Sequence, residues 1–215
     1  MTDQTPPPAK ARKAAPKAKK RAYLPAAERR RLIVEAAQEV FARSNLQGAR
    51  TRDIAAAAAV NQATVFEHFA SKEALFHAAV VQPLIDVMRG MHERVTQYGT
   101  AASPDELGEM AHGSALANLA EMVEILPLMT AALFSDQALG RKLYREHLAP
   151  LLRQRGEVLA PLTREGVDPE MVGLANFGML FAFALDKRFG ERGTSLEEMA
   201  TQLNRLSTGG FARKA

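Results

Sequence analysis

The chain has 215 residues and no cysteine, which excludes disulfides, thiolate catalysis and cysteine-ligated zinc. Hydrophobic residues make up 47% and charged residues 24%, the balance of a soluble globular protein with room for a small domain and a larger one. The net charge of +4 is lopsided, because residues 1–31 hold ten Lys/Arg against two acidic residues while the remainder is net acidic; a basic arm of this kind suits a polyanionic partner.

Residues 1–22, rich in Pro, Ala and Lys, carry almost no large apolar side chains and are expected to form a disordered basic arm. No apolar run follows the basic residues, so a secretory signal is not expected. The longest nearly uncharged stretch, Met171–Leu185, is 15 residues and falls short of a membrane span. A cytoplasmic location with no membrane partner is the resulting expectation.

Order is expected from Tyr23–Pro25, with Pro25 suited to a first helical turn. Leu32, Ile33, Ala36, Ala37, Val40 and Phe41 then repeat at helical spacing, and Asn45 fits a left-handed C-terminal cap. A second short helix is predicted over Arg52–Ala58 with Thr51 as N-cap, and Ala59–Val60 form a tight connection. Asn61 caps a third helix running to Phe69, and Ser71 caps a fourth through Leu75, Phe76 and Ala79. Three short capped helices joined by minimal turns are the helix-turn-helix pattern.

Past Pro83 the helices lengthen. Leu84, Met88, Met91 and Val95 share one face, and Ser103–Pro104 opens a helix over 105–126 that Pro127 is expected to interrupt. A short helix over 128–135 and a segment over 137–164, kinked at Pro150, follow. Asp168–Pro169 opens a helix to Phe189, apolar nearly all round and so expected to be buried on more than one side. Ser195 and Glu198 match a capping box, and Leu196, Met199, Leu203 and Leu206 form a seam for a partner helix. No strict alternation occurs, and the expected fold class is all-α. The expected domains are the arm over 1–22, a DNA-binding unit over 23–80, and a larger helical domain over 81–215.

The stretch Arg52–Leu75, RDIAAAAAVNQATVFEHFASKEAL, resembles the DNA-binding region of the TetR family of bacterial regulators. Arg52-Asp53-Ile54-Ala55, the Val60 turn, Thr64, Val65, His68-Phe69 and Ser71-Lys72-Glu73-Ala74-Leu75 carry the resemblance, which is strong over about residues 28–80. On the third helix Val65 and Phe69 lie four apart and are expected to face inward. Gln62, Ala63, Thr64 and Phe66 are left toward DNA, where Gln62 suits an adenine edge and Thr64 a base or phosphate. Asn61, His68, Lys72, Thr51 and Arg52 complete the expected contacts. Arg29 and Arg30, beside the arm, are expected at the DNA backbone or minor groove. Three positions depart from the family: Phe66 replaces the usual Tyr, Ala59 replaces the usual turn glycine, and Glu67, which would repel phosphate, is expected to face away from DNA.

The resemblance also implies a small-molecule inducer held between the middle helices. Met88, Met91, Met110, Met122, Met129, Phe134 and Phe177 are candidate apolar lining, although core packing explains most such clusters. Asn118, Tyr144 and Asn176 are candidate polar groups. The last two long helices are expected to pair across a two-fold axis into a four-helix bundle, through Leu174, Phe181, Leu185, Leu196, Met199, Leu203 and Leu206. Five histidines without paired spacing suggest no metal site, and no nucleotide-binding, nucleophile-elbow or paired-carboxylate motif supports an enzyme or a cofactor. The expected function is a homodimeric, ligand-released repressor on a pseudo-palindromic operator in double-stranded DNA at the nucleoid. The alternatives are an architectural DNA-binding protein without ligand control, and a helical enzyme or interaction module that merely carries a similar segment.

Overall fold

The computed structural model describes residues 24–134 and 136–210, all of them in helices and short connections. The basic arm over 1–22 and its lysines lie outside the described residues. Helix α1 (Ala26–Gly48) buries Ile33, Ala36, Ala37, Val40 and Phe41, the stripe its 3- and 4-residue spacings predict. Helices α2 (Thr51–Ala57), α3 (Gln62–His68) and α4 (Lys72–Phe76) close over that stripe with Ile54, Val65, Leu75 and Phe76. Phe41 and Phe76 meet edge to face at 5.0 Å, the favoured geometry for two ring quadrupoles.

Local chemistry sets the joints of this unit. Asn45 has positive φ (52°), yet its side chain looks forward: Oδ1 accepts from the Gln47 and Gly48 amides at 2.9 and 3.1 Å. It therefore ends the long run of α1 at a kink, and its side chain starts the short turn that follows. Thr51 is not the cap of α2, because the Arg50 carbonyl already accepts from the Asp53 and Ile54 amides and places Thr51 inside the first turn. Asn61 and Ser71 do cap α3 and α4, accepting from the Thr64 and Ala74 amides at 2.7 and 3.0 Å.

Helix α4 runs through a wide π turn (His77–Val81) into α5 (Gln82–Thr96), so one rod joins the DNA-binding unit to the rest of the chain. A second π turn (Tyr144–Leu148) joins α7 (Gln137–Leu143) to α8 (Ala149–Leu159). Each π turn ends just before a proline, Pro83 or Pro150. Proline lacks an amide donor and crowds the carbonyl four residues back, and widening the turn relieves both problems without breaking the helix.

Helix α6 (Pro104–Phe134) is the axle of the fold and packs against α1, α5, α7, α9 and α10. It is not interrupted at Pro127. Burial of Leu119, Met122, Ile125, Leu126 and Met129 on one continuous side outweighs the hydrogen bond lost there, which costs about 3 kcal/mol. By length and composition α6 could also cross a membrane, but its apolar side forms the core of the molecule. Its core is continuous with that of the N-terminal unit.

Helix α9 (Pro169–Phe189) crosses α8 backbone to backbone. A Cβ on Gly173 would sit 2.2 Å from the Leu152 carbonyl oxygen, and one on Gly156 would sit 2.2 Å from that of Pro169. Only glycine permits so close a crossing. Helix α10 (Leu196–Gly210) begins with the predicted capping box, in which the Ser195 amide donates to Glu198 Oε2 at 2.9 Å and the Glu198 amide to Ser195 Oγ at 3.2 Å.

Candidate DNA interface and ligand cavity

The third helix is held as the spacing predicts. Val65 and Phe69 are buried, while Asn61, Gln62, Ala63, Phe66 and Glu67 are exposed. Phe69 is the C-cap rather than a helical residue, with extended φ and ψ that turn the chain toward Ser71. At 100° per residue, Ala63 and Glu67 lie opposite Val65, and Gln62 and Phe66 flank them. Glu67 therefore shares the exposed face with Ala63; a carboxylate there suits a cytosine amino group and opposes phosphate.

Several expected contacts carry internal duties as well. Asn61 Oδ1 accepts from both the amide and the hydroxyl of Thr64, at 2.7 and 3.0 Å, so its oxygen is committed to the cap. Thr64 and His68 are half-buried beside the helix. Lys72 donates to the Ala49 carbonyl at 3.3 Å, which ties the fourth helix to the α1–α2 corner. Thr51 is half-buried at the start of α2, while Arg52 is exposed beside Asp53 at 3.5 Å. Arg29 donates to the Leu24 carbonyl at 3.0 Å, and Arg30 lies over the Phe69 ring. The turn between α2 and α3 places Ala59 at φ 53°, the left-handed position where glycine is usual.

The larger domain contains a cavity of about 860 Å³. It lies between the end of α5, the first half of α6, the end of α8, and the facing sides of α9 and α10. Small side chains at Ala101, Ala102, Ala111 and Ala115 leave the space, and Leu107, Leu159, Leu162, Leu180 and Leu203 make its apolar walls. Asn118 and Asn176 line it as expected. Asn118 accepts from Arg94 Nε at 2.7 Å, and Asn176 accepts from Ser207 Oγ at 3.1 Å, linking α9 to α10.

The methionines lie elsewhere. Met88, Met91 and Phe177 border a separate gap of about 10 Å³, and Met122 and Met129 are fully buried in the core. Met110 does not reach the cavity, Phe134 is 73% exposed, and Tyr144 lies on the surface. The missed cavity residue is Arg155. Leu148, Leu152, Arg155 and Leu159 are spaced four, three and four, so the sequence places a cation on the inward seam of its helix.

The seam on α10 is also placed differently. Met199 and Leu203 are buried against the chain's own core, and Leu196 packs beside them. Leu206 remains 54% exposed. On α9 one face is buried, but Met171, Leu174 and Phe189 are exposed on the other, with Phe181 and Leu185 half-covered among Ala175, Gly178 and Ala182. Within one chain, then, this helix is covered on one side only.

A capped short helix braced from behind, with a polar leading end exposed, defines a helix-turn-helix DNA-binding protein. Residues 33–79 match the family model for bacterial regulatory proteins of the tetR family, which assigns this N-terminal unit to that type of DNA-binding domain. The whole-chain fold is similar to that of solved relatives. A TetR-like transcriptional regulator from Rhodococcus sp. RHA1 is 19% identical, with a TM-score of 0.66 over 87% of this chain and 98% of that one. NalD of Pseudomonas aeruginosa, the secondary repressor of the MexAB-OprM multidrug efflux pump, is 17% identical, with a TM-score of 0.65 over 89% and 100%. SmeT, the repressor of the Stenotrophomonas maltophilia efflux pump SmeDEF, is 14% identical, with a TM-score of 0.62 over 86% and 91%. At these identities the likeness is one of fold. No curated protein matches the sequence.

Proposed function

We propose that the protein is a homodimeric repressor that holds a pseudo-palindromic operator and leaves it when a small amphipathic molecule fills the cavity. The observation that carries this reading is the position of the cavity. Its walls include α9 and α10, whose outer sides carry the partly exposed apolar stripe through Leu174, Phe181, Leu185 and Leu206. Pairing of that stripe with a second copy would form a four-helix bundle, with Gly178 and the neighbouring alanines allowing close approach.

The cavity also borders the first half of α6, and α6 packs on α1 of the DNA-binding unit. A ligand that favours one packing of α6 would favour one separation of the two recognition helices, which is release by population shift. Gln62, Thr64 and Glu67 would read bases, while Thr51, Arg52, His68, Lys72, Arg29, Arg30 and the arm would hold phosphates. Its place of work would be the cytoplasm, on the nucleoid.

The test is selection of bound DNA from a random pool, alongside measurement of mass in solution. Enrichment of a two-fold-symmetric site by a dimer, lost on adding an amphiphile, is the expected result. Salt-dependent binding without a preferred site would indicate the architectural alternative, and a monomer on DNA would refute the dimer.

A further inference from the structure

Among the described residues, Arg155 is the only charged one lining the cavity, and no carboxylate lines it. Its Nη1 donates to the Met91 carbonyl at 3.2 Å, and its Nε is buried without a hydrogen-bond partner among the described residues. Burial pushes the guanidinium below its ordinary value, the Tyr98 hydroxyl across the cavity wall opposes this, and the nearby positive charge of Arg94 pushes the same way as burial. Arg94 already has its counter-ion, since it pairs with Glu121 and donates to Asn118. Among the described residues, then, Arg155 has no carboxylate partner.

A charge withdrawn from water is ordinarily paired, and Arg155 is half-buried in the cavity wall with its Nε wholly covered. We propose that the cavity takes an amphipathic carboxylate, whose head pairs with Arg155 and whose apolar remainder lies along Leu107, Leu159, Leu162 and Leu180. The guanidinium fork matches a planar carboxylate, and the absence of acidic lining disfavours cationic amphiphiles. This assignment rests on the reading of the cavity as the regulator's ligand site and adds the charge of the ligand to it.

Calorimetric titration of the full chain with decanoate, decanol and decyltrimethylammonium, each below its micelle concentration, tests the assignment. Decanoate is expected to bind at least about tenfold more tightly than decanol, with the cation weakest. Arg155→Met is expected to abolish the preference by weakening decanoate while leaving decanol within about twofold, and Arg155→Lys to keep part of it. Equal binding of decanoate and decanol by the wild type overturns the assignment, as does a preference that survives in Arg155→Met, or no binding of any of the three. The wild-type comparison stands even if a variant does not fold. The two readings fail separately: release of operator by decanol and decanoate alike would sink only the carboxylate assignment. Tight decanoate binding that leaves operator occupancy unchanged would sink only the ligand-controlled repressor.

Discussion

The guanidinium carbon of Arg30 lies 4.3 Å from the centroid of the Phe69 ring. Arg30 belongs to the first turns of α1, and Phe69 ends the recognition helix, so a cation–π contact fastens that end of α3 to the helix behind it. Arg30→Ala is expected to lower unfolding free energy by about 0.5–1 kcal/mol in denaturant titrations. An unchanged midpoint would show that the contact braces nothing.

Ala59 holds a backbone conformation that a Cβ disfavours, at an exposed position where no packing is lost on its removal. Ala59→Gly is therefore expected to raise stability, by up to about 1 kcal/mol after the extra freedom of the unfolded glycine is counted. A fall in the denaturation midpoint would mean that the turn is not strained.

Asn61 and Gln62 stand side by side, and their losses should look different. Asn61→Ala removes the oxygen that accepts from Thr64 twice, so thermal stability should fall, by about 1 kcal/mol, and operator affinity with it. Gln62→Ala touches only an exposed side chain. It should leave the melting curve alone and cost about 1–3 kcal/mol of operator binding, with relaxed selectivity at one base pair. Operator binding unaffected by Gln62→Ala would remove that residue from the reading surface.

The carboxyl of Glu198 is held below its ordinary value by hydrogen bonds from the Ser195 amide and hydroxyl. The folded chain thus binds this proton less readily than the unfolded chain. Its contribution is complete above the ordinary carboxylate value of 4.5 and is lost as pH falls through the lower folded value. The difference in stability between wild type and Glu198→Gln should shrink on going from pH 7 to pH 3. A difference that stays constant would remove the linkage.

Removal of residues 1–21 should weaken binding to all DNA sequences and flatten its dependence on salt, because the lost lysines and arginines are sequence-blind. Unchanged affinity and slope would make the arm a solubilising tail.

The DNA-binding unit was legible because its determinants are local. Ile33, Ala36, Ala37, Val40 and Phe41 announce a buried face by spacing, and Asn61 and Ser71 announce helix starts by side-chain chemistry. Thr51 misled because a threonine beside a helix start also serves well inside the first turn, where the neighbouring Arg50 carbonyl begins the ladder. Pro127 misled because its cost is local while the burial of α6 is not.

The cavity could not be read from large residues, since empty space is made by small ones such as Ala111 and Ala115. Met88, Met91, Met122 and Met129, the natural suspects, fill the core instead. Arg155 could have been found by asking which inward seam position carries a charge. The two faces of α9 look alike in sequence, and only the packed chain distinguishes the covered side from the bare one.

The glycine crossing of α8 and α9 has a mechanical consequence. Where two backbones touch with no side chain between them, there is no cushion to absorb movement, so a displacement of one rod is handed to the other almost undiminished. Arg155 is the immediate neighbour of Gly156, and the bare stripe of α9 lies on the far side of the same contact. A pull on that arginine is therefore passed on to the bare stripe of α9.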